Sequence, residues 1–197
     1  NRLYATFIRI RWEGTAHLKQ YAENDPLCLQ TELNRYGKSS FYSRTLAHSL
    51  VGSIAADLAT TFAVRQNDNT SLIKRPPSLP PDCPILPLSS QPLLMQEYRT
   101  LRRENEVEIR LLDYTWSYPL QQRKPIFECQ YESNPYTDLN GVNLLYCAAY
   151  PMIHDICERR AVMEDKLWRG NKDWSMASST QGRDVFFFAN CDFDDRI

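Results

Sequence analysis

The sequence predicts an α+β fold built on antiparallel strands, and three observations carry that expectation. Strand-like segments of similar length recur between residues 3 and 65. A later stretch, residues 142–160, places apolar side chains at three- and four-residue steps, the spacing of an amphipathic helix. Between them, residues 76–92 hold seven of the chain's twelve prolines, so neither regular element can run through. Strands followed by a dominant helix, with a strand at the end, make an α+β pattern.

Leu3–Trp12 is rich in β-branched and aromatic residues and ends near Gly14, which reads as a strand. Asn24-Asp25-Pro26 signals a turn. Leu27–Leu33 then alternates apolar and polar residues, as a half-buried strand does. Arg35-Tyr36-Gly37-Lys38 reads as a turn and Ser40–Ala47 as a further strand. Residues 53–65 carry mixed signals, since their alanines favour helix and Thr60–Val64 favours strand; the meander argues for strand. The proline run is expected to be an extended linker pinned by Ile85, Leu86 and Leu88, with an SH3-type ligand as the alternative.

Pro92–Glu104 reads as a polar connection with at most one helical turn. Glu106–Asp113 alternates and begins a new strand, and Phe127–Tyr131 is another strand candidate. Asn134-Pro135 forms a turn, after which Asp138 or Asn140 can cap a long helix through Val142, Leu145, Ala149, Met152, Ile153 and Ile156. Pro151 should kink or split that helix. Residues 182–190 form a closing strand. The expected division is a first repeat at 1–75, a linker at 76–105 and a second repeat at 106–197.

Composition narrows the function classes. A hydrophobic fraction of 43% and a charged fraction of 24% belong to an ordinary globular protein. A net charge of -1 gives no electrostatic reason to expect nucleic acid or an anionic membrane. No apolar run is long enough for a membrane span, and the opening Asn-Arg-Leu-Tyr does not look like a signal peptide. That opening, without an initiator Met, fits a piece of a longer protein. Six cysteines at irregular spacing match no zinc pattern, so reduced thiols in a cytoplasmic protein are expected, with no metal.

The segment Asn134-Pro-Tyr-Thr-Asp-Leu-Asn-Gly-Val-Asn-Leu-Leu-Tyr-Cys-Ala-Ala-Tyr-Pro151 resembles the loop and central helix of a hot-dog domain. Hot-dog thioesterases carry a comparable acidic or amide residue followed by a Gly/Val/Asn step into the helix. Arg183–Asp195 resembles the strand that follows, and Phe7–Trp12, Asn24–Leu27 and Arg35–Gly37 resemble the fold's strand-and-turn meander. The doubled arrangement is similar to the leinamycin-type acyltransferase/decarboxylase family of polyketide pathways, a double hot-dog. Against that family, both repeats here look incomplete.

The resemblance implies a substrate acyl thioester on coenzyme A or an acyl carrier protein, with no cofactor beyond that carrier and a homodimer as one assembly. Such a site needs donors aimed at the thioester carbonyl oxygen, where negative charge grows. If a helix begins at Gly141 and Val142, their backbone N–H groups suit that role. Asn134, Asn140 and Asn143 supply neutral amides, Thr137 and Tyr146 hydroxyls, and Asn190 ends a strand expected beside the helix. Asp138, as the segment's carboxylate, is the default general base. Trp168–Trp174 reads most simply as a loop with anchoring aromatics, though its Arg169 and Lys172 could meet a pantetheine phosphate or a carrier protein. Decarboxylation of a malonyl-type thioester would need no base, only enolate stabilisation. Set against this, Asp138-Leu-Asn-Gly could be merely a turn and helix cap, and His154, within the helix, a structural or surface residue rather than a base. A thioesterase or dehydratase-like enzyme, a non-catalytic acyl or carrier-protein binding module, and an unrelated interaction domain remain the alternatives.

Overall fold

Between residues 3 and 65 the expected meander forms. The strands are β1 (Leu3–Gly14), β2 (Cys28–Tyr36), β3 (Ser40–His48) and β4 (Ser53–Arg65). The computed structural model describes residues 3–65, 72–73, 84–119, 127–140, 144–164 and 179–189. The chain divides into two compact units. One comprises Asn1–Asn67, Leu72–Gln122 and Ser179–Phe188; the other comprises Asp68–Ser71, Arg123–Ser178 and Ala189–Ile197.

The first unit contains a wholly antiparallel sheet in the order β2-β3-β4-β1-β8, where β8 is Gly182–Phe186. A two-residue strand, β5 (Leu72–Ile73), pairs with the end of β4. Gly37 makes the β2–β3 turn at φ +78, a backbone conformation that costs glycine little. Residues 53–65 are strand, as the meander argued, and their alanines have a packing role. Ala59 is fully buried beneath Leu94 and Met95, and its small side chain lets a helix lie close to the sheet.

That helix is α1 (Leu93–Glu104), in the stretch expected to be a polar connection. Leu94, Met95 and Leu101 are buried, and each contributes roughly 1.5–3 kcal/mol by leaving water. The proline run ends at Pro92, which starts the helix, and Asn105 stops it in the left-handed conformation at φ 59. Thus the helix set against the antiparallel sheet precedes the one the sequence pointed to. A hairpin of β6 (Glu106–Leu111) and β7 (Tyr114–Pro119) follows, and its Val107 and Ile109 pack with Leu101 and Phe186. Of the proline stretch, Leu86 and Leu88 are seen bonding to Arg35 at the end of β2.

Two further expectations are corrected in this unit. The sequence pattern groups the closing strand with residues 106–197, yet β8 pairs with β1 through Arg9↔Phe186 to Glu13↔Gly182. Pairing with β1 satisfies the backbone groups on one side of β8, a long-range contact that strand periodicity cannot reveal. The compact units therefore cut the chain at places other than 75 and 105. Leu29 and Leu33 of β2, expected to be half-buried, are exposed because α1 covers Tyr36 and Ala59 but not the outer part of the edge strand.

The second unit holds α2 (Ala149–Met163) and the segment before it. Leu145, Ala149 and Ile153 cluster with Tyr131 and Tyr150. Phe127–Tyr131 is not strand but irregular backbone. The helix begins at Ala149, so Leu145 lies before it despite its helical spacing. Pro151 then sits in the first turn, where its missing N–H has no intrahelical partner to lose, so no kink is required.

Candidate active site

The Asn134–Tyr146 loop is folded by its own polar groups. The Asn134 side chain accepts the Tyr136 N–H at 2.9 Å, and the Asn134 carbonyl accepts the Asp138 N–H at 2.9 Å. This is the local turn that an Asn-Pro pair favours. Asn140 Oδ1 accepts the Leu144 N–H at 3.1 Å, while the Leu144 carbonyl accepts the Asn140 N–H at 2.8 Å. Leu139 and Leu145 form a bridge beside them, and the Tyr146 N–H donates to the Asp138 carbonyl at 2.6 Å.

Asp138 is the centre of this loop and is 1% exposed. Its Oδ2 accepts the Tyr131 hydroxyl at 2.8 Å and the Asn134 N–H at 2.7 Å, and its Oδ1 accepts the Thr137 hydroxyl at 2.9 Å. Burial pushes the carboxyl upward, but the three donors outweigh it and hold Asp138 below the usual aspartate value. Burial and the adjacent carboxylate raise the Tyr131 hydroxyl, which stays protonated as a donor. An anionic carboxylate occupied by three donors is a weak proton acceptor. This geometry makes Asp138 the anchor of the loop rather than a poised base.

The structure thus brings Asn134, Thr137 and Asp138 together and ties Asn140 and the Tyr146 backbone to the same loop, the Tyr146 side chain being exposed. Neither Asp138 nor Asn140 caps α2, whose entry at Ala148 has no side-chain cap. Gly141, Val142, Asn143, Arg169, Lys172 and Asn190 lie outside the described residues. Among the described residues, no three His, Cys, Asp or Glu side chains gather as a metal site.

Sequence reasoning missed Tyr131 as a partner of Asp138. It also missed a buried charge cluster in the sheet unit. Arg9, fully buried, donates from Nε and Nη2 to the two Asp184 oxygens at 2.7 and 2.5 Å, and from Nη1 to the Leu94 carbonyl at 2.8 Å. Arg9 also meets Glu97 at 2.7 Å, and Arg11 meets both Glu97 and Asp184 at 3.1 and 2.8 Å. The Phe186 ring covers the Arg9 guanidinium at 4.1 Å. Two arginines at i and i+2 within an apolar strand were the available signal. A shallow cavity of about 300 Å³ lined by Tyr98, Arg99, Arg102 and Arg103 lies on α1, where cations also complement the helix C-terminus.

No family model and no curated protein sequence matches this chain. Among solved structures, the 12:0-ACP thioesterase from Umbellularia californica superposes with a TM-score of 0.60 over 98% of this chain, at 9% sequence identity. This chain covers 63% of that protein, less than two thirds of its length. At that identity the likeness is one of fold: antiparallel sheet and two described helices, an α+β arrangement similar to a hot-dog thioesterase.

Proposed function

We propose that the protein processes an acyl thioester carried on coenzyme A or an acyl carrier protein. The fold likeness to an acyl-ACP thioesterase over 98% of the chain carries this reading. Within it, we favour acyltransferase/decarboxylase chemistry on a malonyl-type thioester, as in the polyketide family that the sequence resembles. The state of Asp138 supports this choice, because three donors hold it as an anion and leave it a poor base. Decarboxylation does not need that base. The C–C bond to the carboxylate breaks, CO2 leaves, and the electron pair moves onto the thioester carbonyl oxygen as an enolate. Backbone or amide N–H groups stabilise that oxygen. The enolate then takes up a proton at its α-carbon, or the acyl group passes to an acceptor hydroxyl or thiol as the C–S bond breaks and the carrier leaves as its thiol.

In this scheme Asn134, Thr137 and Asp138 hold the loop. Asn140, Gly141, Val142 and Asn143 are the candidates for contact with the thioester, with Tyr146 and Asn190 as further polar groups. Arg169 and Lys172 are candidates for the pantetheine phosphate. A thioesterase is the second reading, favoured by the likeness in fold to the 12:0-ACP thioesterase.

The test is to incubate the chain with malonyl-, methylmalonyl- and 12:0-acyl thioesters of coenzyme A and of a carrier protein. Products and intact protein are followed by mass spectrometry. Loss of CO2 or a transferred acyl group is the expected result; hydrolysis of the 12:0 thioester instead selects the thioesterase. Binding without turnover indicates a non-catalytic module. Failure to bind any of these thioesters overturns the proposal.

A further inference from the structure

The second unit places two thiols in contact. Cys129 Sγ and Cys157 Sγ are 3.3 Å apart, both are free, and both are partly accessible. They come from different pieces of backbone: Cys129 from the irregular segment before the loop, Cys157 from the middle of α2. Their approach is fixed by neighbouring contacts. Arg160, three residues beyond Cys157, donates to the Gln130 carbonyl at 3.0 Å, so the residue after Cys129 is held to the same helix. Tyr131 next to it donates to Asp138. Residues 129–131 therefore connect α2 to the anchor of the candidate site through three successive side-chain or backbone contacts.

We propose that Cys129 and Cys157 are a reversible thiol–disulfide site, oxidised by a small disulfide of the glutathione class, whose closure fastens residues 129–131 to α2. The inference rests on the thiol geometry and is independent of the proposed thioester chemistry. A disulfide needs a sulfur separation of about 2.05 Å, so the pair closes by about 1.2 Å. One cysteine thiolate attacks the glutathione disulfide and forms a mixed disulfide, releasing one glutathione thiolate. The second cysteine thiolate then attacks the protein sulfur of that mixed disulfide and releases the other. Each protein thiol gives up one proton and one electron, and the glutathione disulfide takes up both pairs to become two glutathione thiols. Burial, the Cys129 thiol and Glu158 push the Cys157 thiol up, while Arg160 pulls it down. The Cys157 thiolate is therefore scarcer at neutral pH than that of an ordinary cysteine.

To test this, the full chain is equilibrated in buffers of graded reduced-to-oxidised glutathione ratio, quenched with an alkylating agent and digested. A Cys129–Cys157 linked peptide, lost on adding dithiothreitol, is the expected product. Hydrogen exchange at Tyr131 and Asp138 should slow several-fold in the oxidised chain, and the unfolding midpoint should rise by several degrees. The Cys129→Ser and Cys157→Ser chains, studied separately, should each fold and show neither change. Stable single glutathione adducts at both positions of the wild-type chain would overturn the proposal. So would two free thiols at 129 and 157 under strongly oxidising buffer, or a disulfide from either residue to a third cysteine.

Discussion

In the sheet unit the Asp184 carboxylate meets two guanidinium groups, Arg9 and Arg11, whereas in the loop unit Asp138 meets three uncharged donors. Both carboxylates have little access to solvent, yet their surroundings do different work. With Glu97, the first set balances two positive against two negative charges drawn from β1, α1 and β8. It joins three elements distant in sequence, and removing one member strands the others. The second set keeps its negative charge and spends its hydrogen bonds on the shape of one short loop. A charge balanced by countercharges fixes how elements meet; a charge balanced by donors fixes a local backbone.

The comparison breaks most directly at Arg9. Among the described residues, Arg9→Ala leaves Asp184 and Glu97 with Arg11 as their cation, and should cost about 3–5 kcal/mol of stability in urea unfolding. Asp138→Ala strands the Tyr131 hydroxyl, the Asn134 N–H and the Thr137 hydroxyl, and should cost about 1–3 kcal/mol. If the second change cost more than the first, the distinction drawn between the two clusters would fail.

The pH dependence sharpens it. Asp138 is held below its unfolded value, so its contribution is complete above that value and is lost as the pH falls through the folded one. Asp138→Ala should therefore flatten the acid limb of a stability–pH curve, measured by unfolding between neutral and acid pH. At the alkaline end the sheet unit responds. Burial pushes Tyr36 up to about 12; Tyr42 is likewise pushed to about 12 by burial and by its hydrogen bond to Asp57. Their contribution is complete below the unfolded value of 10.0 and disappears as the pH rises from there through about 12. The smallest effect belongs to the exposed edge strand. Leu29→Ser should change stability by less than about 0.5 kcal/mol, because the side chain is already exposed.

What the sequence made legible was local. β1 to β4 followed from β-branched and aromatic segments with turn residues between them, and Asn134-Pro135 correctly marked a turn. α1 was hidden because prolines precede it and three arginines sit on its far half. Leu94, Met95, Tyr98 and Leu101 nevertheless carried the helical spacing. The start of α2 was read too early because Val142 and Leu145 fit the same period. The Asn140–Leu144 bonds and the Leu139–Leu145 bridge give Leu144 and Leu145 partners outside any helix. The charge cluster joins residues 175 positions apart, beyond the reach of any spacing rule. The sequence singles out Asp138 but not its partners, and the partners decide what a carboxylate can do.

The central claim is that a thioester is handled at the Asn134–Tyr146 loop. The most direct measurement is hydrogen exchange of the full chain with and without a non-hydrolysable thioether analogue of malonyl-coenzyme A. The account predicts slower exchange across residues 131–149, with β1, α1 and β8 unchanged. Protection confined to those three elements, or no protection anywhere at saturating analogue, would contradict it.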